Sequence, residues 1–328
     1  MPAPEPLREQ IRPRLLPAEP RADARAVARA VAARGGDAID SVVFFGSRKS
    51  GAAPGPGSAF DFFVVVPSYR DFYAALATSG ALQRRAPVLS ALNSVLPPNV
   101  ISLPATLPDG TGVVAKCAIV SREHFQRETS ERRKDHFIAG RLFQASEVVH
   151  ARDAPAADLA LEAVTAAHAL SYRWCRPWLP ERFDVETYCR TLLRVSFGWE
   201  IRAEPSRRTE TLYEAQREYL LPVYGAYLRH LAASGELVER EAGVYSLAQP
   251  VRPLERRRLE RFFKRSLVRA TARWAKYMVT FDDWLDFIVR KARRHTGQDL
   301  ELTPRERRYP LIFLWPRFIR YLRHKDGR

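Results

Sequence analysis

The chain has 328 residues, 46% of them apolar and 11% aromatic, which is the make-up of a folded globular protein and excludes a disordered one. Lysine and arginine outnumber aspartate and glutamate by 53 to 37, and a net charge of +16 calls for an anionic partner such as nucleotide, nucleic acid or acidic lipid. Cys117, Cys175 and Cys189 lack metal or redox spacing, and an odd count argues against a disulfide framework. The opening residues, MPAPEPLREQIRPRLL, have no apolar stretch of the secretory-signal kind. No run approaches the ~20 apolar residues of a membrane-spanning helix. A cytoplasmic protein, at most peripheral to the inner face of the cell membrane, is expected.

Residues 1–36 form a Pro/Arg-rich lead, with one helix expected from Asp23, a candidate N-cap, to Ala33 before Gly35-Gly36 stops it. Strands are expected at Ser41–Phe45 and Asp61–Val66, joined by a loop of Gly, Ala, Pro and Ser. Helices follow at Asp71–Gly80 and Leu82–Leu96. Two further strands, Val100–Leu103 and Val113–Val120, flank the turn signal Pro108-Asp109-Gly110-Thr111-Gly112. The segment 37–153 therefore reads as an α/β domain. Apolar residues at three- and four-residue spacing make 154–250 a helical domain, ending in a hairpin at Leu237–Leu247 around Gly243. Segment 251–328 holds a basic amphipathic helix at 254–278, a second helix at 281–295 and a basic, apolar tail. From Arg252 to Lys276 ten Arg or Lys stand against Glu255 and Glu260. That run reads as a docking surface, or more plainly as the solvated face of an arginine-rich chain.

The chemistry centres on Phe45-Gly46-Ser47 and on Asp61, a lone acid opening Phe62-Phe63-Val64-Val65-Val66. A carboxylate at the mouth of a buried strand is costly unless it is paired or metal-bound. A Gly-Ser turn lets backbone N–H groups approach phosphate oxygens, because no Cβ stands in the way. Together these resemble the site of polymerase-β-type nucleotidyltransferases, in which strand carboxylates hold Mg²⁺ beside a nucleoside triphosphate. The usual second acid two residues away is missing: Ala59 and Phe63 occupy those places. On these residues alone, a catalytic Asp61 and a turn-capping Asp61 stand level.

Further motifs, in order, are Ala115-Lys116-Cys117-Ala118-Ile119-Val120-Ser121, Ile138-Ala139-Gly140-Arg141-Leu142, Leu179-Pro180-Glu181-Arg182-Phe183 and Ser196-Phe197-Gly198-Trp199-Glu200-Ile201-Arg202. With the Gly-Ser and Asp61 elements, they resemble the mitochondrial-type phosphatidate cytidylyltransferase family, known as translocator assembly and maintenance proteins, over about residues 40–230. That family makes CDP-diacylglycerol from CTP and phosphatidic acid, and likewise carries a single acid at the Asp61 position. The resemblance implies an α/β (α+β) fold: a polymerase-β-like domain with a mixed sheet, then a mainly helical domain. It implies that Gly46, Ser47, Lys116 and Arg141 bind the nucleotide, with Gly140 before Arg141 letting its planar fork of donors approach a phosphate closely. It implies as well that Asp61 and Glu200 hold Mg²⁺ and that Arg202 faces the substrate phosphate. Lys116 would act with Asp61 and Glu200 in catalysis. The chain departs from the family where Cys-Ala follows Lys116 in place of Tyr-Gly, and where no Tyr-Asn pair occurs in Val100–Leu103. For Lys116 the plain alternative is an exposed strand start. For Arg141, and for Glu200 with Arg202, it is a structural ion pair. His124, His136 and His168 show no ligand spacing and read as ordinary polar histidines.

In the tail, Leu314, Trp315, Phe318 and Ile319 with Arg317 and Arg320 suit an interfacial helix on an anionic membrane, or alternatively a packed core segment. No stable nucleic-acid partner is expected, since no RNA-recognition signature accompanies the basic helix. Two rival readings keep the fold: transfer to another acceptor (an RNA end, a small molecule or a protein), and nucleotide binding without chemistry.

Overall fold

A computed structural model describes residues 4–52, 58–82, 85–199 and 206–280, together with Thr303 and Arg305. Glu200, Arg202, the expected helix at 281–295 and the docking residues Leu314, Trp315, Arg317, Phe318, Ile319 and Arg320 lie outside the described residues. The chain divides into two compact units, Met1–Thr271 and Ala272–Arg328. The described part of the second unit is the end of one helix, to Thr280, with Thr303 and Arg305.

The first unit is mixed α/β. Its sheet comprises β1 (Ser41–Phe45), β2 (Phe60–Val66), β3 (Asn99–Thr106), β4 (Gly112–Ser121) and β5 (Glu147–Ala151), in the order β3-β4-β2-β1-β5. β2 and β4 run parallel, whereas the other neighbours are antiparallel. β1 and β2 are apolar on both faces, so both faces must be covered. On one side Val42, Phe44, Phe62 and Val64 pack with α2 (Ala22–Gly35) and α4 (Tyr69–Thr78). On the other, Val43, Phe45, Phe63 and Val65 share a core with a helical layer. That layer contains α1 (Glu5–Leu15), α8 (Ala154–Cys175), α9 (Val185–Gly198), α10 (Ser206–Ala233) and Phe263 of α11 (Pro253–Thr280). One face of the sheet thus shares a core with the helical layer, while the opposite face closes a second core with α2 and α4.

Four expectations need correction. The lead holds two helices, not one: Leu7, Ile11 and Leu15 of α1 recur every four residues and are all buried, which draws the segment into the core despite Pro13. Asp23 does not cap α2. The N-cap is Arg21, and Asp23 sits in the first turn, accepting from the Arg21 guanidinium at 2.8 Å. β3 runs on to Thr106, because an edge strand tolerates Pro104, whose missing N–H takes no part in the pairing with β4. The stretch 122–151 adds α6 (Arg122–Glu128), α7 (Ala139–Leu142) and β5, and the loop after β1 opens with α3 (Ser47–Ser50). In that order α5 (Ala86–Val95) follows α4. The hairpin of β6 (Leu237–Glu241) and β7 (Val244–Leu247) turns at Gly243 as its sequence predicts.

The buried histidine of α8 makes stability sensitive to acid. His168 Nδ1 lies 2.9 Å from the Val164 carbonyl, which can only accept, so Nδ1 carries the proton and Nε2 accepts from the Tyr219 hydroxyl at 2.9 Å. Burial pushes its pKa down from 6.5 to about 4. Burial also lowers His124 and His150. In the unfolded chain His168 takes a proton near pH 6.5, while in the fold it stays neutral until about pH 4, so stability falls as pH drops through that window and levels below it. The gap corresponds to roughly 3 kcal/mol. Calorimetry between pH 7 and 4.5 should show the thermal midpoint falling steeply, and His168→Gln should flatten that slope. An identical slope in the variant would refute the assignment.

Candidate active site

Strand pairing lines three polar residues of the sheet into one row. Phe45 at the end of β1 pairs with Asp61, Asp61 with Lys116, and Lys116 with Ser102. Directly paired side chains project from the same face. That face is the helical one, since the next row inward, Val43, Phe63, Ala118 and Val100, packs into the helical core. Along this face of β4, Val114 is exposed, Lys116 half-buried, and Ala118 and Val120 buried. An acid, an ammonium and a hydroxyl therefore stand side by side where the covered face opens.

The Gly-Ser turn meets this row directly. Gly46 has φ +85° and ψ −167°, a region essentially restricted to glycine. A Cβ placed there would stand 2.7 Å from Asp61 Oδ2 and 3.1 Å from Asp61 Cβ. The backbone of Gly46 thus lies against the carboxylate, and Ser47 starts α3 immediately beyond it. Within α3 the N–H groups of Lys49 and Ser50 bond to the Gly46 carbonyl. The N–H groups of Ser47 and Arg48, in the first turn, have no acceptor inside the helix and can serve an anion.

Residues that the sequence did not single out fix this turn. Lys49 Nζ lies 2.5 Å from Glu147 Oε2, and Glu147 Oε1 accepts from the Arg21 backbone N–H at 2.6 Å. Arg48 Nε donates to the Ser58 carbonyl at 2.7 Å while its guanidinium covers the Phe60 ring at 4.4 Å. Glu147 was legible in principle. Like Asp61, it is an acid opening an apolar strand, Glu147-Val148-Val149.

Arg141 reaches the same face through a line of rings. Its Nη1 donates to the Phe137 carbonyl at 3.0 Å, and its guanidinium sits 4.0 Å from the Phe137 ring centre. Phe137 meets Phe63 edge-on at 6.5 Å, and Phe63 stacks on Phe45 at 4.4 Å. Gly140, however, does not clear a path for a phosphate. A Cβ there would meet Ser196 Oγ of α9 at 3.0 Å, so its bareness admits the neighbouring helix. The Leu179–Phe183 motif is architectural as well: Phe183 is buried and exchanges backbone hydrogen bonds of 3.0 and 2.8 Å with Tyr245 of β7. Trp199 stacks on Phe263, 5.6 Å between centres and 7° between planes.

The departure at Cys117 falls on the opposite face of β4, in the buried core against α2 and α4, where burial pushes the thiol up to about 12. It does not face the row. His124 accepts or donates to Tyr69 Oη at 2.8 Å, and His136 Nδ1 lies 2.5 Å from Ser266 Oγ. Among the described residues no group of three or more His, Cys, Asp or Glu side chains is arranged to hold a metal. Mg²⁺ needs no such cage, since one or two carboxylates plus substrate phosphates suffice. Asp61, flanked by a residue without a side chain, fits that requirement. No protein-family model matches the chain, and no curated protein matches it.

Proposed function

We propose that the chain is a Mg²⁺-dependent nucleotidyltransferase that joins CMP from CTP to phosphatidic acid, giving CDP-diacylglycerol and pyrophosphate. The observation that carries this reading is the contact of the Gly46 backbone with the Asp61 carboxylate, in one row with Lys116 and Ser102 at the open end of the sheet. The resemblance of the ordered motifs supplies the substrates.

In this reading Asp61 would hold Mg²⁺, which when bound would supply charge neutralisation for the triphosphate and the departing pyrophosphate. The first-turn N–H groups of α3 and the Ser47 hydroxyl orient phosphate oxygens. Lys116 offsets their charge from the neighbouring strand, and Arg141 presents a planar fork of donors. A phosphatidate oxygen attacks the α-phosphorus, a new P–O bond forms, and the bond to the β-phosphate breaks with its electron pair leaving on pyrophosphate. A phosphate monoester is largely dianionic near neutral pH, so the attacking oxygen needs little help from a base. Positioning and charge account for the catalysis.

A lipid acceptor requires a surface at which to act. Among the described residues no helix is long and apolar enough to cross a membrane. α11 instead turns Arg257, Arg258, Arg261, Lys264 and Arg265 outward on one exposed side, a spacing that suits anionic headgroups at the inner face of the cell membrane. The same stripe would serve RNA phosphates if the acceptor were a nucleic acid. Purified protein with Mg²⁺, CTP and phosphatidate vesicles should yield CDP-diacylglycerol. Absence of that product from folded protein would reject the lipid reading. Flotation with liposomes, set against an RNA gel shift at equal salt, should favour the liposomes.

A further inference from the structure

The inward side of α11 grips the segment that carries Arg141. Ser266 Oγ accepts from the His136 backbone N–H at 3.0 Å and lies 2.5 Å from His136 Nδ1. Arg269 Nε donates to Asp135 Oδ2 at 2.9 Å, and Asp135 Oδ1 accepts from the Phe137 N–H at 3.0 Å. The His136 carbonyl accepts from the Gly140 N–H at 2.8 Å, which starts the turn that presents Arg141. Phe263 meets the His136 ring edge-on at 5.6 Å and stacks on Trp199, the residue before Glu200. Asp135, His136, Phe263 and Ser266 are all buried, so these polar contacts act away from water, where they count most.

We infer that Ser266 and Arg269 of α11 are positioning residues, which hold Asp135–Phe137 so that the Arg141 guanidinium, resting on Phe137, stays on the face of the Asp61–Lys116 row. Neither side chain touches the row itself. Each acts on Arg141 through the backbone and ring of Phe137. The inference rests on the nucleotide-binding role of Arg141 proposed above. A phosphate-binding arginine contributes to substrate binding before and during reaction alike, so its misplacement should weaken binding more than turnover.

The test uses the full chain with Mg²⁺, CTP and phosphatidate vesicles, plus calorimetric titration with Mg²⁺ and CTP alone. Ser266→Ala with Arg269→Gln should raise the KM for CTP about tenfold while kcat stays within about twofold. Arg269→Lys, in place of Gln, should restore much of the loss. On an Arg141→Ala background the pair should add nothing further to KM, an outcome that a merely structural role would not give. If the pair variant does not fold, Ser266→Ala alone carries the same ratio and the same cycle. A wild-type KM in folded variants, or a loss that adds to that of Arg141→Ala, overturns the inference. A wild-type protein that neither binds nor turns over CTP overturns the underlying reading instead, and the inference falls with it.

Discussion

Asp61→Asn should lower nucleotidyl transfer by at least about 100-fold, the scale of losing one preorganised charge-stabilising group at a reacting phosphate. The amide keeps the shape of the side chain and removes its charge, so it tests the electrostatic role rather than the packing. The carboxylate stands between the Gly46 backbone on one side and, one strand over, Lys116. Without its charge the row is cationic and polar only, and a hard divalent cation loses its oxygen anion while the triphosphate keeps Lys116. Binding of CTP without Mg²⁺ should therefore survive in the variant, and the gain in affinity on adding Mg²⁺ should disappear. Asp61→Glu should not rescue, because the carboxylate already abuts Gly46 and an added methylene drives it past the turn. Calorimetric titration with and without Mg²⁺, beside product formation, reads both effects. Transfer within a few-fold of wild type in folded Asp61→Asn would remove the carboxylate from the chemistry and take the proposed function with it.

The parts of the fold legible in the sequence are those in which a single local signal suffices. Ser41–Phe45 and Phe62–Val66 are runs of Val and Phe with a turn beside them, and only a strand covered on both faces accommodates such runs. Gly243 between two short apolar stretches specifies a hairpin because only glycine takes its φ of +76° cheaply. The long basic helix shows in the recurrence of Leu259, Phe262, Phe263 and Leu267 against a cationic remainder. What stayed hidden depends on partners remote in the chain. α1 is a poor helix by composition, with Pro and Arg throughout, and its three buried residues matter only once α8 and α10 are there to meet them. β5 is five residues long, and it becomes a strand by pairing with β1.

The site divides along the same line. Asp61, Gly46 and Ser47 could be paired in advance because they end and begin consecutive strands of an antiparallel pair, which topology brings together. Lys116 joined them by family likeness, and the parallel register of β2 with β4 gives the physical reason: it sits directly opposite Asp61. Gly140 misled because a glycine before an arginine looks the same whether it admits a ligand or a helix. Only the place of Ser196, 56 residues on, tells the two apart. Lys49, Arg269 and Ser266 act on the site through others, and no spacing in the chain announces that; Glu147 alone among such residues is marked, as an acid opening an apolar strand.

Gly46→Ala should be the most damaging small substitution in the protein, and for two separable reasons. The backbone conformation, φ +85° with ψ −167°, costs any residue with a side chain about 1–3 kcal/mol. The new methyl also meets Asp61 Oδ2 at 2.7 Å, so the carboxylate must turn away from the place where its charge is needed. Stability and transfer should thus fall together, whereas Asp61→Asn should affect mainly transfer. A double-mutant cycle separates the two costs: on an Asp61→Ala background the steric part of the Gly46→Ala penalty shrinks and the backbone part remains. Urea unfolding of the four proteins of the cycle measures this, and the smaller penalty on the Asp61→Ala background is the expected sign. Equal penalties on both backgrounds would mean that Gly46 is there for the turn alone. The bare backbone beside the carboxylate would then be an accident of strand geometry, and the phosphate cradle would lose the contact on which it is built.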